Sequence, residues 1–305
     1  MSMVLDESET DPTADYEGIS VIGGFFVDAV DVQEIVTAWR RHKQDLGMLP
    51  SEELKYNLSP GPVRARLESA GLSHRVRLPS TLDIIGNLPI TLIGCAQLLQ
   101  AKPRAGWLDG FDWCLTCAAD QVSGRSHVDG HEVVIDQPSG LQEVPMCDAL
   151  GTAAAESPFA LYRERWTNGY ACLPSSHRKH GPSLSSLGFK PELRATCSAH
   201  SDLVQIADHV AGVTRQVAER HLRGSSDDVW KDTNFCRVLP RFWQGSNRVA
   251  IAVLPETALG RDLLADALNR CAQQSTVRRR RDACCGRGAI ACCTPRAPDR
   301  SSSLS

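Results

Sequence analysis

A wide apolar stripe over residues 198–222 is the most regular feature of the 305-residue sequence. Its apolar side chains recur three and four residues apart, which is the spacing of an α-helix with one buried face. Ser201 stands directly before the stripe and is predicted to be the N-cap of the helix. The segment therefore indicates a long helix packed on a core. The stripe consists of Leu203, Ile206, Ala207, Val210, Ala211, Val213, Val217 and Ala218.

Short apolar runs of the kind found in strands alternate with segments of helical spacing along the chain. The first run ends in Asp6-Glu7-Ser8, and the second follows soon enough to predict antiparallel pairing with it. This alternation predicts the α/β class. Strands are predicted at 3–5, 19–27, 88–95, 131–135 and 249–254, and further helices at 31–46 and 108–122.

The composition predicts one large domain over residues 1–272 and a disordered Arg-, Cys- and Ser-rich tail over 273–305. No run approaches the ~20 apolar residues that span a bilayer. The start is acidic, unlike a secretory signal, so we expect a cytoplasmic protein without membrane contact.

The net charge of −3 is unevenly distributed along the chain. From residue 276 onward, seven arginines and two aspartates give +5, so the first 275 residues carry −8. An acidic body is a poor surface for nucleic acid unless bound cations intervene. The charge therefore counts against a nucleic-acid substrate that is bound without metal.

Three aspartates stand at positions that would suit a metal site. Asp6 and Asp136 each follow an apolar run, and Asp208 lies within the apolar helix. Carboxylates at strand ends and on a neighbouring helix can converge, and converging carboxylates need a cation between them. The set therefore predicts binding of Mg²⁺ or Mn²⁺. Gln205, three residues before Asp208, is placed to orient a water or a phosphate.

Each aspartate taken singly also has an ordinary structural explanation. Asp6 and Asp136 are typical turn residues, and Asp208 could face water at the rim of the stripe. The hypothesis of a site depends on the three residues together.

The same segments, in the same order, resemble a bacterial and phage family called domain of unknown function 3800. The likeness spans residues 3–225 and includes Asp6-Glu7-Ser8, Glu53-Leu54-Lys55, a late strand ending at Asp136, and the helix start at 200–212. It implies a ribonuclease H-like α/β fold, with a mixed sheet flanked by helices. It also implies a metal-dependent nuclease that hydrolyses phosphodiester bonds by a two-metal mechanism.

The resemblance assigns roles to individual residues. Asp6, Asp136 and Asp208 would be ligands of Mg²⁺ or Mn²⁺. Glu7, Glu53, Lys55 and Gln205 would be supporting residues of the catalytic site. DNA or RNA would bind through the metal. The family usually has glycine after Asp-Glu-Ser, whereas this chain has Glu9, which loses the backbone freedom of glycine at that turn.

Other functions are open at this point. The acidic body and Glu9 favour a catalytically silent interaction module, paired with a bacterial or phage defence factor. Hydrolysis of nucleotides or other small phosphates would tolerate an acidic surface better than long nucleic acid.

Cys114-x-x-Cys117 has the spacing of half a zinc site, but no second pair follows at the required distance, so we predict core cysteines there.

Overall fold

The computed structural model has the α/β class that the alternating pattern predicts, with helices on both faces of a mixed sheet. The predicted tail lies outside the described residues, as does the end of the predicted 1–272 domain. The structure describes residues 1–10, 18–57, 61–99, 103–123, 130–136, 166–167, 184–223, 229–242, 244–245, 248–249 and 251–254.

Six strands form one sheet in this part of the chain, and two short strands form a separate antiparallel ribbon. The strands are β1 (Ser2–Thr10), β2 (Gly18–Val27), β3 (Thr91–Leu99), β4 (Glu132–Asp136), β5 (Arg194–Thr196), β6 (Gln244–Gly245), β7 (Arg248–Val249) and β8 (Ile251–Leu254). The first three strands make an antiparallel meander, and β4 and β5 continue it beyond β1 with parallel pairing. The order in the sheet is β5-β4-β1-β2-β3-β8, and β8 runs parallel to β3.

The predicted long helix is present and is capped as expected. The Ser201 hydroxyl accepts a hydrogen bond from the Val204 N–H at 3.4 Å, which satisfies one free amide of the first turn. None of the helices in the described residues has the length and apolarity that a bilayer crossing demands. The α-helices are α1 (Val32–Asp45), α2 (Pro62–Ser69), α3 (His74–Asn87), α4 (Pro103–Val122), α5 (Asp202–Arg223) and α6 (Val229–Val238).

The two faces of the sheet bury different side chains because neighbouring residues of a strand point in opposite directions. On β1, Val4 joins a core with residues of α1, α3, α5 and α6. Met3 and Leu5 join a second core with residues of α4. The sheet is therefore the middle of three layers, and α5 lies on the Val4 face.

A glycine on β2 sets how closely α5 approaches the sheet. A Cβ placed on Gly23 would lie 2.6 Å from Cα of Ala211, so only glycine permits this contact. Gly23 is the cross-strand partner of Asp6 on β1. Because residues three apart on a helix are neighbours, the contact at Ala211 brings Asp208 over the strand that carries Asp6.

Several boundaries differ from those predicted from the sequence. The first strand continues to Thr10, and β3 begins at Thr91 because α3 ends only at Asn87. Helices α2, α3 and α6, strand β5 and the pairing of β6 with β7 were not predicted, and the predicted strand 249–254 corresponds to β8. Proline stands at the start of α2, and Pro79 lies inside α3, where proline is a signal against helix. Strand β5 has only three residues, too few for a recognisable alternation.

Candidate metal-binding carboxylate site

Asp6 lies within β1 and not at its end, which corrects the sequence-based prediction. Antiparallel pairing with β2 continues past it to Thr10, whereas parallel pairing with β4 stops one residue earlier, at Leu5 and Ile135. Only 5% of Asp6 is exposed. Its Oδ1 atom accepts a hydrogen bond from the Glu7 N–H at 2.6 Å. A buried carboxylate thus stands where two parallel strands part.

Asp136 is the last residue of β4, as predicted. Ile135 pairs with Leu5, so Asp136 and Asp6 are the next residues after the last pair of the parallel strands β4 and β1. The Oδ1 atom of Asp136 accepts a hydrogen bond from the Ser198 N–H at 3.0 Å. Asp6 and Asp136 lie two residues after Val4 and Val134, so each points to the same face of the sheet as that valine. Both valines belong to the core on the α5 face. Both carboxylates therefore face α5.

Asp208 supplies the third carboxylate from α5. It is partly buried, and its Oδ2 atom accepts a hydrogen bond from the Tyr56 N–H at 2.6 Å. The helix carboxylate is thereby attached to the loop before α2, which also carries Glu53 and Lys55.

The three carboxylates interact electrostatically. Burial raises the pKa of Asp6 well above its usual range, and the charges of Asp136 and Asp208 raise it further. Burial also raises the pKa of Asp208 to about 6, although the Tyr56 N–H and the charge of Lys55 oppose the rise. A buried carboxyl group whose pKa is raised by neighbouring carboxylates is expected where several carboxylates surround a cation.

Lys55 and Glu53 lie beside these carboxylates. Burial lowers the pKa of Lys55, but the charges of Glu53, Asp208 and Asp136 outweigh that effect and the net shift is upward. The Lys55 ammonium lies 3.3 Å from Glu53 Oε1. About a third of the Lys55 side chain and a quarter of the Glu53 side chain are exposed, at 32% and 26%. Lys55 is therefore a charged lysine that solvent and solutes can reach.

Gln205 has a structural role, which corrects the prediction that it orients a water or a phosphate. Only 2% of the residue is exposed. Its Oε1 atom accepts hydrogen bonds from Trp39 Nε1, Lys43 Nζ and the Leu54 N–H, and its Nε2 donates to the Ser198 carbonyl. The Gln205 side chain thereby connects α5 to the loop that carries Glu53 and Lys55. It also connects α5 to Ser198, whose N–H binds Asp136.

Glu7 contributes through its backbone. Because successive side chains of a strand alternate, Glu7 points to the sheet face opposite to Asp6. Its N–H holds Asp6, and its charge adds to the rise in the pKa of Asp6. The structure therefore brings together Asp6, Asp136, Asp208, Glu53 and Lys55, and it separates the side chain of Glu7 from them.

Two buried cations that were not predicted from the sequence hold the loop that carries Glu53 and Lys55. Lys43, which is 1% exposed, forms an ion pair with Asp202 at 2.7 Å and donates to the Glu52 carbonyl at 2.9 Å. Arg77, which is fully buried, donates to the carbonyls of Lys55 and Tyr56. Lys43 lies in a predicted helix, where a charged residue usually faces solvent, and Arg77 lies in a segment for which no helix was predicted.

The donor set suits a hard divalent cation because it consists of carboxylate oxygens. Among the residues that the structure describes, no group of three or more Asp, Glu, His or Cys side chains meets the geometry of a preformed metal site. The carboxylates share one face and influence one another, but they are not drawn together into a ligand cage.

The predicted core cysteines are confirmed. Cys114 and Cys117 are buried within α4, and Cys95 is buried beside them on β3. Burial raises the pKa of the Cys114 thiol well above its usual range, so it stays protonated at neutral pH.

Comparison of the chain with models of known families, with curated proteins and with solved structures finds no match.

Proposed function

We propose that the chain is a metal-dependent phosphodiesterase of ribonuclease H-like fold, acting on nucleic acid by a two-metal mechanism. The observation that carries the proposal is a buried carboxylate, Asp6, in the middle of a sheet, with its pKa raised by burial and by the charges of two further carboxylates. Burying like charges together costs free energy that a purely structural role would not require. A cation-binding role accounts for the arrangement.

The sheet supports the fold assignment. An antiparallel meander of three strands, continued past its first strand by two parallel strands, fits the mixed sheet flanked by helices that the resemblance implies. Asp6 and Asp136 stand on the adjacent strands β1 and β4, and Asp208 stands on α5, which packs on the same face of the sheet. The resemblance to domain of unknown function 3800 stays a prediction, and it assigns metal ligands to these same three residues.

Asp6, Asp136 and Asp208 would hold the metal ions. When bound, Mg²⁺ or Mn²⁺ would supply Lewis-acid activation of water and neutralise charge on the phosphodiester oxygens. Lys55 would face the substrate phosphate and offset its negative charge, while Glu53 keeps the ammonium in place. The buried position of Asp6 would limit competing solvent around the carboxylates.

The acidic body is compatible with a nucleic-acid substrate only through bound cations. The first 275 residues carry −8, so a polyanion would be repelled from the metal-free protein. Divalent ions at the carboxylates would reverse the local field. We therefore expect binding of DNA or RNA to depend on Mg²⁺ or Mn²⁺.

The test is cleavage of labelled single- and double-stranded DNA and RNA in Mn²⁺, with Mn²⁺ binding followed by calorimetry. Wild type is compared with Asp6→Asn, and with Asp45→Asn as the matched control. Asp45 is an exposed residue at the end of α1, so its change removes one charge outside the site. We expect cleavage that requires Mn²⁺, that is lost in Asp6→Asn and that is kept in Asp45→Asn.

The outcomes separate the candidate functions. Folded wild-type protein that neither binds Mn²⁺ nor cuts any substrate would refute catalysis and leave the silent interaction module. Mn²⁺ binding that requires Asp6, without cleavage of DNA or RNA, would redirect the search to nucleotides and other small phosphates.

A further inference from the structure

Arg77 is a fully buried arginine on α3 that the proposed chemistry does not use. Its Nη2 atom donates to the Tyr56 carbonyl at 2.8 Å and to the Lys55 carbonyl at 3.1 Å. Nη2 also lies 3.3 Å from His74 Nδ1. Within the described residues, Nε and Nη1 have no hydrogen-bond partner. The hydrogen bonds of this guanidinium are thus directed at the backbone beside Lys55.

The loop that carries Lys55 is held at every second residue. Lys43 donates to the Glu52 carbonyl, the Leu54 N–H donates to Gln205, and the Tyr56 N–H donates to Asp208. Leu54 and Tyr56 are buried in the core, at 0% and 1% exposure. Glu53 and Lys55 alternate with them and are partly exposed. The anchoring therefore presents two charged side chains beside the carboxylates.

We propose that Arg77 is the positioning residue for Lys55: it fixes the Lys55–Tyr56 backbone so that the ammonium is held beside Asp136 and Asp208. This inference rests on the proposed function and deepens it, because it names the residue that keeps the phosphate-facing lysine in place.

Two physical arguments support this role for Arg77, one from its burial and one from the flexibility of the Lys55 side chain. Taking an arginine out of water costs free energy, and burial lowers the pKa of Arg77 to about 10; hydrogen bonds to two adjacent carbonyls and attraction to Asp208 offset part of this cost. Lysine side chains are flexible, so only a fixed backbone keeps the ammonium within reach of one phosphate. A displacement of about 1 Å at a reacting centre can cost a hundredfold in rate.

The first arm of the test measures backbone hydrogen exchange in the full-length protein. Arg77→Met removes the hydrogen bonds and keeps much of the volume, and Arg77→Lys restores a cation with donors. Arg241→Met is the matched control, because Arg241 also donates to two backbone carbonyls, those of Gly86 and Asn87. Gly86 lies nine residues along α3 from Arg77, or about 13 Å by helical rise.

We expect the amides of residues 52–57 to exchange on the order of tenfold faster in Arg77→Met, with partial recovery in Arg77→Lys and no change in Arg241→Met. Unchanged exchange over 52–57 in a folded Arg77→Met protein would overturn the proposal. If Arg77→Met does not fold, Arg77→Gln carries the test, because its side chain is polar but too short to replace both guanidinium bonds; exchange equal to wild type over 52–57 together with unchanged kinetics would overturn the proposal.

The second arm measures cleavage kinetics in Mn²⁺. We expect Arg77→Met to lower kcat on the order of tenfold to a hundredfold, with less change in KM. The double variant Lys55→Met/Arg77→Met is expected to match Lys55→Met alone, since a positioning residue has no effect once the group it positions is gone. Additive losses would overturn the positioning role. Absence of cleavage by wild type would refute the proposed function, while the exchange arm would still decide the role of Arg77.

Discussion

Replacing Asp208 with asparagine should stabilise the metal-free protein at neutral pH. Burial raises the pKa of Asp208 from its ordinary value of 3.8 to about 6, so the folded protein holds this carboxyl's proton more tightly than the unfolded chain does. The stability of wild type therefore falls as the pH rises from about 4 to about 6 and is level above that. Asparagine has no proton to lose, so the variant avoids this loss.

The magnitude follows from the same values. A difference of about two pH units corresponds to about 3 kcal/mol at pH 7. Because Asp208 is partly exposed, solvent screens part of this, and we expect a gain of about 2 kcal/mol. The Tyr56 N–H bond is retained, since an asparagine oxygen can accept it. At pH 4 the two proteins should have nearly equal free energies of unfolding.

The assay is urea unfolding in EDTA at several pH values between 4 and 7. Asp202→Asn is the control on the same helix. Asp202 accepts hydrogen bonds from Lys43 and Arg40, and its loss would leave Lys43 charged and buried, so that variant should be less stable by about 3–5 kcal/mol. Added Mn²⁺ should stabilise wild type and not Asp208→Asn. A variant no more stable than wild type at pH 7, or a difference that does not change with pH, would refute the reasoning.

Two further changes test how the site is assembled. Gly23→Ala places a methyl group 2.6 Å from Cα of Ala211, so we expect a loss of about 1–3 kcal/mol in thermal unfolding and weaker Mn²⁺ binding. Gly110→Ala is the control, because the added carbon would lie at an ordinary contact distance of 3.7 Å from Ile22; it should cost less and leave Mn²⁺ binding unchanged. Gln205→Leu removes the acceptor of the Leu54 N–H and of Lys43, so urea unfolding should show a loss of about 2–4 kcal/mol. Equal stability of Gln205→Leu and wild type would contradict the structural role of that side chain.

The carboxylates could be found from the sequence because each breaks a local pattern. An aspartate after an apolar run, or within an apolar helical stripe, differs visibly from its neighbours, and the stripe itself defined α5 and its cap at Ser201. The β1 and β2 strands, their antiparallel pairing and helices α1 and α4 were also predicted, since short-range periodicity determines them.

The alignment of the carboxylates and the roles of Arg77 and Gln205 depend on contacts between distant segments of the chain. The place of β4 beside β1 aligns Asp6 with Asp136, and strand pairing leaves no local pattern in either segment. Arg77 and Gln205 are polar residues whose partners lie 21 and 151 residues away, at Tyr56 and Leu54. A sequence reports the chemistry of a side chain. The roles of Arg77 and Gln205 were decided only by folding, because burial and hydrogen-bond partners arise when the layers pack.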